Sequence, residues 1–160
     1  MRRAICLLTV LFLVLAAREA AADVVLFAGK TANPSSRAVK GIGVDAVLLI
    51  VGFEFEYSDT SEDTAAGAPQ LRTAMFNAMV QTPPILGLRF YATAGGGVYQ
   101  ERLTSTDYQH RGVGTNTGGG VKIPLTGLIG LRVDYRLFSL RGSMVDEPLK
   151  RFYMGANLAF

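Results

Sequence analysis

Apolar and polar residues alternate along most of this chain with a period of two. The clearest segment runs from Ile129 to Phe138, where bulky apolar side chains share one face and Arg132, Asp134 and Arg136 share the other. The segment from Phe152 to Phe160 repeats this pattern. Alternation of this kind is typical of β-strands whose two faces meet different surroundings.

The same pattern predicts eight strands. One of them, Leu71–Val80, also has apolar residues four apart, as a helix would, but Gly67-Ala68-Pro69 and Pro83-Pro84 bracket it tightly and favour a strand. The predicted strands are Val24–Lys30, Val39–Leu48, Val51–Ser58, Leu71–Val80, Leu88–Gly95, Val113–Ile123, Ile129–Phe138 and Phe152–Phe160.

The connections between these strands alternate in length. Long polar loops are predicted after the odd-numbered strands and short turns after the even-numbered ones, which is the pattern of an up-and-down antiparallel barrel with both termini at one end. The predicted long loops are Thr31–Ala38, Asp59–Gln70, Thr104–Arg111 and Gly142–Lys150. The predicted short turns lie near Ala46–Leu49, at Gln81–Pro84 and at Pro124–Gly127.

The N-terminus has the features of a cleaved export signal. Arg2 and Arg3 precede the apolar run Ile5–Ala17, and Ala20-Ala21-Ala22 forms an A-x-A cleavage site before Asp23. We therefore predict a signal peptide at residues 1–22 and a single barrel domain at residues 23–160. An uncleaved anchor is the alternative, although charged residues interrupt the apolar run soon after it.

Composition narrows the possible functions. Cys6, the only cysteine, lies inside the predicted signal, so the mature chain has no thiol for a disulfide or a nucleophile. Without the signal's three arginines and one glutamate, 13 basic residues face 12 acidic ones. No basic stripe suggests nucleic-acid binding, and no motif indicates a metal, a cofactor or a catalytic residue.

The charge pattern favours a membrane barrel over a soluble one. Bulky apolar faces must be buried in something: either lipid, or the interior of a soluble eight-stranded barrel or sandwich. The export signal and the glycine content favour lipid, so the polar faces should line the lumen. Charges enclosed there must pair with one another. The predicted lumenal network consists of Glu54, Glu56, Arg89, Arg132, Asp134 and Arg136.

Two glycine triplets, Gly95–Gly97 and Gly118–Gly120, lie on neighbouring predicted strands. Glycine within strands often marks bends or close approach. We expect these glycines to relieve curvature and to leave lumenal room for Tyr91, Tyr99 and the arginines. Neither triplet belongs to a phosphate-binding glycine motif that opens a helix.

The last strand carries a family motif in Tyr153, Gly155, Leu158 and Phe160. Their spacing resembles the terminal signal of outer-membrane barrels, which ends in an aromatic residue and is read by the barrel assembly machinery. Residues 23–160 as a whole resemble the outer membrane protein β-barrel domain family, the eight-stranded OmpA/OmpX-like barrels of Gram-negative bacteria. The resemblance implies residence in the outer membrane, where lipid, lipopolysaccharide, periplasmic chaperones and the assembly machinery are the expected partners.

The resemblance leaves the function open among three alternatives. The first is a non-enzymatic, monomeric barrel with a structural role or a surface-interaction role through its external loops. The second is a small porin-like channel, which a filled lumen would exclude. The third is a lipid A-modifying enzyme with Ser105 as nucleophile, His110 as base and Asp107 as its orienting acid. Residues this close in sequence rarely form a triad without a scaffold, so we predict no enzyme activity.

Overall fold

The computed structural model describes residues 21–145 and 148–160. All eight predicted strands are present, and most are a few residues longer than the alternating pattern indicates. The predicted signal peptide lies outside the described residues, except for Ala21 and Ala22. The strands are β1 (Ala21–Ala32), β2 (Arg37–Leu48), β3 (Val51–Thr60), β4 (Gln70–Gln81), β5 (Arg89–Leu103), β6 (Tyr108–Thr126), β7 (Ile129–Leu140) and β8 (Leu149–Ala159).

The strands form a closed, up-and-down antiparallel barrel. Each strand pairs with the next in sequence, and β8 pairs with β1, where Asp23 lies opposite Ala159. Backbone hydrogen bonds between Ala22 and Phe160, at N···O distances of 2.9 and 3.2 Å, join the two ends of the seam. No helix among the described residues is long and apolar enough to cross a membrane.

The outer face of the barrel is apolar. Phe55 on β3 and Tyr135 on β7 are 51% and 46% exposed, whereas their inward neighbours Glu54 and Asp134 are each 1% exposed. Large apolar side chains are exposed on every strand of the barrel. They form a continuous apolar surface, unlike the single exposed apolar residues found on most soluble proteins. The polar faces therefore point inward, as the alternating pattern predicts.

The two ends of the barrel differ in their connections. The end that holds Ala22 and Phe160, here called the termini end, has connections at residues 49–50, 82–88 and 127–128. The opposite end, here called the loop end, has connections at residues 33–36, 61–69, 104–107 and 141–148. The first and last described residues lie at the same end, as expected for an even number of strands.

Most connections differ from their predicted lengths; the predicted loop Thr31–Ala38, for example, shrinks to residues 33–36. The predicted loop Thr104–Arg111 shrinks to residues 104–107, because Tyr108 to Arg111 continue β6 and pair with the end of β5. The predicted turn Gln81–Pro84 grows to residues 82–88. Its two prolines lack the N–H groups that would continue the ladder, and β5 starts only after a small bridge between Ile85 and Leu88.

Candidate functional site in the lumen

Buried charged side chains fill the middle of the barrel. The period of two on β7 points Arg132, Asp134 and Arg136 into the lumen, where each is at most 1% exposed. Three cationic or anionic groups on one strand face would be unstable in an apolar interior without partners of opposite sign. Strands from the other side of the barrel supply those partners.

Arg132 lies at the centre of the network. Its Nη1 atom is 3.1 Å from Asp45 Oδ2, and its Nη2 atom is 3.2 Å from Asp134 Oδ2 and also pairs with Glu54. Its Nε group donates to the Tyr91 hydroxyl at 2.7 Å, and its guanidinium carbon lies 4.5 Å from the centre of the Tyr91 ring. The arginine therefore has partners on β2, β3, β5 and β7.

Arg136 forms a second junction one layer nearer the loop end. Its Nη2 atom is 2.6 Å from Glu54 Oε1, its Nη1 atom is 3.1 Å from Glu56 Oε2, and its Nε atom is 2.9 Å from Asp134 Oδ1. Glu54 and Asp134 thus bridge the two arginines. The carboxylates lie between cations, which offsets the cost of taking each charge out of water.

The network extends further than the sequence predicts. Lys122 Nζ lies 2.5 Å from Asp23 Oδ2 and 2.6 Å from Asp45 Oδ1, and Arg151 Nη1 lies 2.8 Å from Glu56 Oε1. Asp45 and Lys122 do stand on predicted polar faces, so their parity could have placed them in the lumen. Asp23 and Arg151 lie just outside two predicted strands, where extending the alternation by one residue would have found them.

The structure brings together five of the six predicted network residues and leaves out Arg89. Arg89 is only half-buried at the termini end, and it forms no ion pair with any residue that the structure describes. It stands first in β5, opposite another cation, Lys122. The nearby carboxylates of Asp23 and Asp45 are already bound to Lys122.

Glycines on β6 make room for the large side chains of the lumen. A Cβ atom at Gly120 would lie 2.5 Å from the Tyr91 hydroxyl, and one at Gly118 would lie 2.8 Å from Cγ of Arg136. A Cβ atom at Gly112 would similarly lie 2.7 Å from the Tyr99 ring. The prediction that the glycine triplets leave room for Tyr91 and the arginines is confirmed for Gly118 and Gly120, whereas Cβ atoms at Gly95 and Gly97 would meet β4 instead.

An apolar cluster and a buried carboxylate close the loop end of the lumen. The cluster consists of Leu71, Met75, Tyr99, Phe138 and Leu149, with Leu140 and Val145 packed against it. Beside it, the buried carboxylate of Glu101 accepts hydrogen bonds from the Ser143 hydroxyl and, at 3.3 Å, from the Met144 N–H group. These contacts hold Ser143 and Met144 against the loop end of the barrel.

The three residues of the alternative hydrolase interpretation, Ser105, Asp107 and His110, do not form a triad. His110 lies on β6 and packs against the rings of Tyr99 and Tyr108, at centroid distances of 5.9 and 6.3 Å. Ser105 and Asp107 lie in the exposed connection between β5 and β6. Within residues 21–145 and 148–160, no hydrogen bond joins any two of these three side chains, and no cluster of metal-ligating residues is found.

The terminal motif is divided between the two faces of β8. Tyr153 points inward, where its hydroxyl donates to Glu56 Oε2 at 3.2 Å. Leu158 and Phe160 point outward and are 45% and 63% exposed. Gly155 lies where a Cβ atom would be 2.6 Å from a methyl group of Val25. The four residues thus combine packing against β1 with an apolar outer edge at the termini end.

Known proteins resemble this chain in structure and not in sequence. No family model matches the chain, and no curated protein matches it. Neisserial surface protein A (NspA) is similar in structure, with a TM-score of 0.69 and 14% identity, covering 88% of this chain and 97% of that protein. The N-terminal β-barrel domain of OprF from Pseudomonas aeruginosa has a TM-score of 0.67 and 17% identity, with the same two coverages of 88% and 97%.

A third neighbour is an enzyme. The outer membrane enzyme PagL has a TM-score of 0.55 and 12% identity, covering 85% of this chain and 98% of PagL. The structural neighbours are outer-membrane barrels, and the chain has the fold of an eight-stranded barrel of that type. Because the neighbours include both a surface protein and an enzyme, the shared fold alone does not define a function.

Proposed function

We propose that this protein is an integral, monomeric barrel of the bacterial outer membrane with a non-enzymatic role, either structural or in surface contacts made by its loop end. The observation that carries the proposal is the reversal of the usual polarity. Apolar side chains cover the outside, and ion-paired side chains fill the inside. In lipid, a closed barrel of this kind satisfies every backbone group of its strands.

The apolar outer face supports membrane insertion. Aromatic and aliphatic side chains such as Phe53, Phe76 and Phe152 are each at least half exposed along the barrel wall. Exposing so much contiguous apolar surface to water would promote aggregation. In a bilayer the same side chains contact acyl chains, and the loop end with its polar connections faces the exterior of the cell.

Cell fractionation combined with gel mobility tests this proposal. We expect the protein in the outer-membrane fraction, migrating differently in unboiled and boiled samples because a folded barrel resists detergent. Recovery from the soluble periplasmic fraction would contradict the proposal. A whole-cell protease assay would then test whether the loop end, in particular residues 61–69, faces outward.

The filled lumen argues against a channel. Arg132, Arg136 and Glu56 cross the middle of the barrel, and the apolar cluster lies between them and the loop end. An ion crossing the barrel would have to break several buried pairs at once. We expect no stable conductance steps in planar bilayers that contain the purified protein, and ohmic steps would overturn this part of the proposal.

The specific alternative is a lipid A-modifying enzyme, and one structural neighbour, PagL, is an outer membrane enzyme. The environment of His110 supports the non-enzymatic role, because its ring packs between two tyrosines with no acid bonded to it among the described residues. Mass spectrometry of lipid A from cells with and without the protein tests the alternative. A change in acylation that disappears in His110→Ala would replace our proposal with this one.

A further inference from the structure

Six polar residues form a regular pattern on the outward face of β4, β5 and β6 near the loop end. Each strand contributes one arginine and one glutamine. The register places Arg72 and Arg111 both opposite Gln100, and Arg102 opposite both Gln70 and Gln109, so the two residue types alternate across the three strands. We call this surface the Arg–Gln patch: Gln70, Arg72, Gln100, Arg102, Gln109 and Arg111.

The patch is rich in hydrogen-bond donors and poor in acids. Arg102 and Arg111 are exposed and have no ion pair with the described residues. At the β3 edge of the patch, Asp59 Oδ2 lies 3.1 Å from Nε of Arg72, and among the described residues no other carboxylate forms an ion pair with an arginine of the patch. Three adjacent strands span roughly 10 Å, so two free guanidinium groups and their amide neighbours fit around one phosphate group.

An apolar groove lies directly below the patch. It has a volume of about 590 Å³, and its lining runs from Arg72 and Arg111 down over Ala74 and Val98. The small side chain of Ala74 recesses the wall there. Further toward the middle of the barrel the outward residues are large and apolar, as at Phe76. The groove therefore leads from a cationic rim into the lipid-facing belt.

We propose that the Arg–Gln patch and this groove bind a phosphorylated, acylated lipid of the outer leaflet, namely the lipid A part of lipopolysaccharide. Arg102 and Arg111 bind a headgroup phosphate, which the guanidinium group can contact through two parallel hydrogen bonds. An acyl chain occupies the groove over Ala74 and Val98. The proposal rests on the proposed function, because it requires this face of the barrel to lie in the outer leaflet.

The opposite side of the barrel offers a matched control. Three exposed lysines, Lys30, Lys40 and Lys150, lie near the loop end on the adjacent strands β1, β2 and β8. They carry as much charge as the three arginines, but no glutamine lies opposite them in the register. If lipid A were bound only by a diffuse attraction between cations and an anionic membrane, the arginines and the lysines would contribute equally to binding. If the patch is a specific phosphate site, binding depends on the arginines and not on the lysines.

Binding of purified lipid A to the protein extracted from membranes in detergent tests the proposal, with native mass spectrometry as the readout. The double variant Arg102→Gln, Arg111→Gln should lose at least about tenfold in affinity, which corresponds to the loss of one charge-assisted contact. The control variant Lys40→Gln, Lys150→Gln should change it less than about twofold. Equal losses in the two double variants would overturn the proposal.

Two further measurements separate the phosphate and the groove. Enzymatically dephosphorylated lipid A should bind at least about tenfold more weakly, and equal binding would contradict the phosphate site. Inorganic phosphate should not displace lipid A at equal concentration, and displacement would show that the groove contributes nothing.

Asp59→Asn, which releases Arg72, should tighten binding by about threefold, the worth of an exposed ion pair. Unchanged or weaker binding would count against the patch.

Gel mobility of each variant keeps the two proposals separate. A variant that still shows heat-modifiable mobility is a folded barrel, so its loss of lipid A binding reports on the patch alone. Wild-type protein that inserts in membranes yet binds both forms of lipid A equally contradicts only this inference. Wild-type protein that fails to insert contradicts the proposed function itself.

Discussion

The hydroxyl group of Tyr91 occupies the space that a side chain at residue 120 would need. A Cβ atom at Gly120 would lie 2.5 Å from that hydroxyl and 2.1 Å from the carbonyl oxygen of Val133. The hydroxyl also donates to Asp134 and accepts from Nε of Arg132. A glycine on β6 therefore decides whether Tyr91 can join the ion-pair network.

Gly120→Ala should destabilise the barrel by about 1–3 kcal/mol, the usual cost of forcing extra volume into a packed interior. The added methyl group clashes with the Val133 carbonyl oxygen and with the Tyr91 hydroxyl, and displacing that hydroxyl separates Tyr91 from Arg132. Urea titration of the protein refolded in lipid vesicles, followed by gel mobility, measures the change. Gly96→Ala is the control, since its Cβ atom would point outward with 3.2 Å to the nearest atom, and its effect should be smaller. Equal losses would contradict the tight fit at Gly120.

The loss of Arg132 should cost far more than the loss of Arg89. Arg132→Leu leaves Asp45, Glu54 and Asp134 buried with fewer cations, and removing one partner of a buried pair costs about 3–5 kcal/mol. Arg89→Leu removes a charge at the rim without an ion pair among the described residues, so the free energy of unfolding should change by at most about 0.5 kcal/mol. The same vesicle titration compares them, and a large effect of Arg89→Leu would place it in the network.

The alternating pattern on β7 shows how far the sequence alone could lead. Side chains alternate between the two faces of a strand. The alternation along Ile129–Leu140 is therefore enough to assign Arg132 and Arg136 to the lumen and Tyr135 to the outside. The pattern is strong wherever both faces are occupied by contrasting side chains. The strand count follows from the same local signal, whereas the up-and-down topology was predicted from the order of the connections.

The pairing inside the lumen could not be read in that way. Arg132 contacts Asp45 on β2, which is 87 residues earlier in the chain, and only the curvature and stagger of the closed barrel bring them together. The length of the β5–β6 connection could not be predicted from the sequence pattern either. Tyr108 and His110 lie in a polar segment, and they extend β6 because their rings pack against the barrel end.

Glu101→Ala should release the segment that follows β7, residues 141–145. Its carboxylate binds the Ser143 hydroxyl and the Met144 N–H group, and hydrogen bonds to a charged group contribute about 1.5–3 kcal/mol. Because proteolysis tracks the population of the open form, trypsin should cleave after Arg141 roughly 10–100 times faster. Mass spectrometry of the fragments measures this rate.

The control for this loop is Glu62→Ala. Glu62 Oε2 accepts hydrogen bonds from the backbone N–H group and the hydroxyl of Thr104, both at 3.1 Å. It therefore holds a different connection of the loop end, and cleavage after Arg141 should keep its wild-type rate. Faster cleavage in both variants would mean that the loops open together, and that Glu101 does not hold its loop individually.

Phe55→Arg distinguishes a lipid-facing barrel from a soluble one. Phe55 lies midway along β3 and is 51% exposed. An exposed arginine would cost a soluble protein almost nothing, whereas near the middle of a bilayer it costs about 2–4 kcal/mol. Leu86→Arg, in the connection between β4 and β5 where the leucine is 99% exposed, should cost at most about 1 kcal/mol. Urea titrations in lipid vesicles measure both changes. If the two substitutions prove equally mild, the outer face of β3 does not contact acyl chains, and membrane insertion as proposed is wrong.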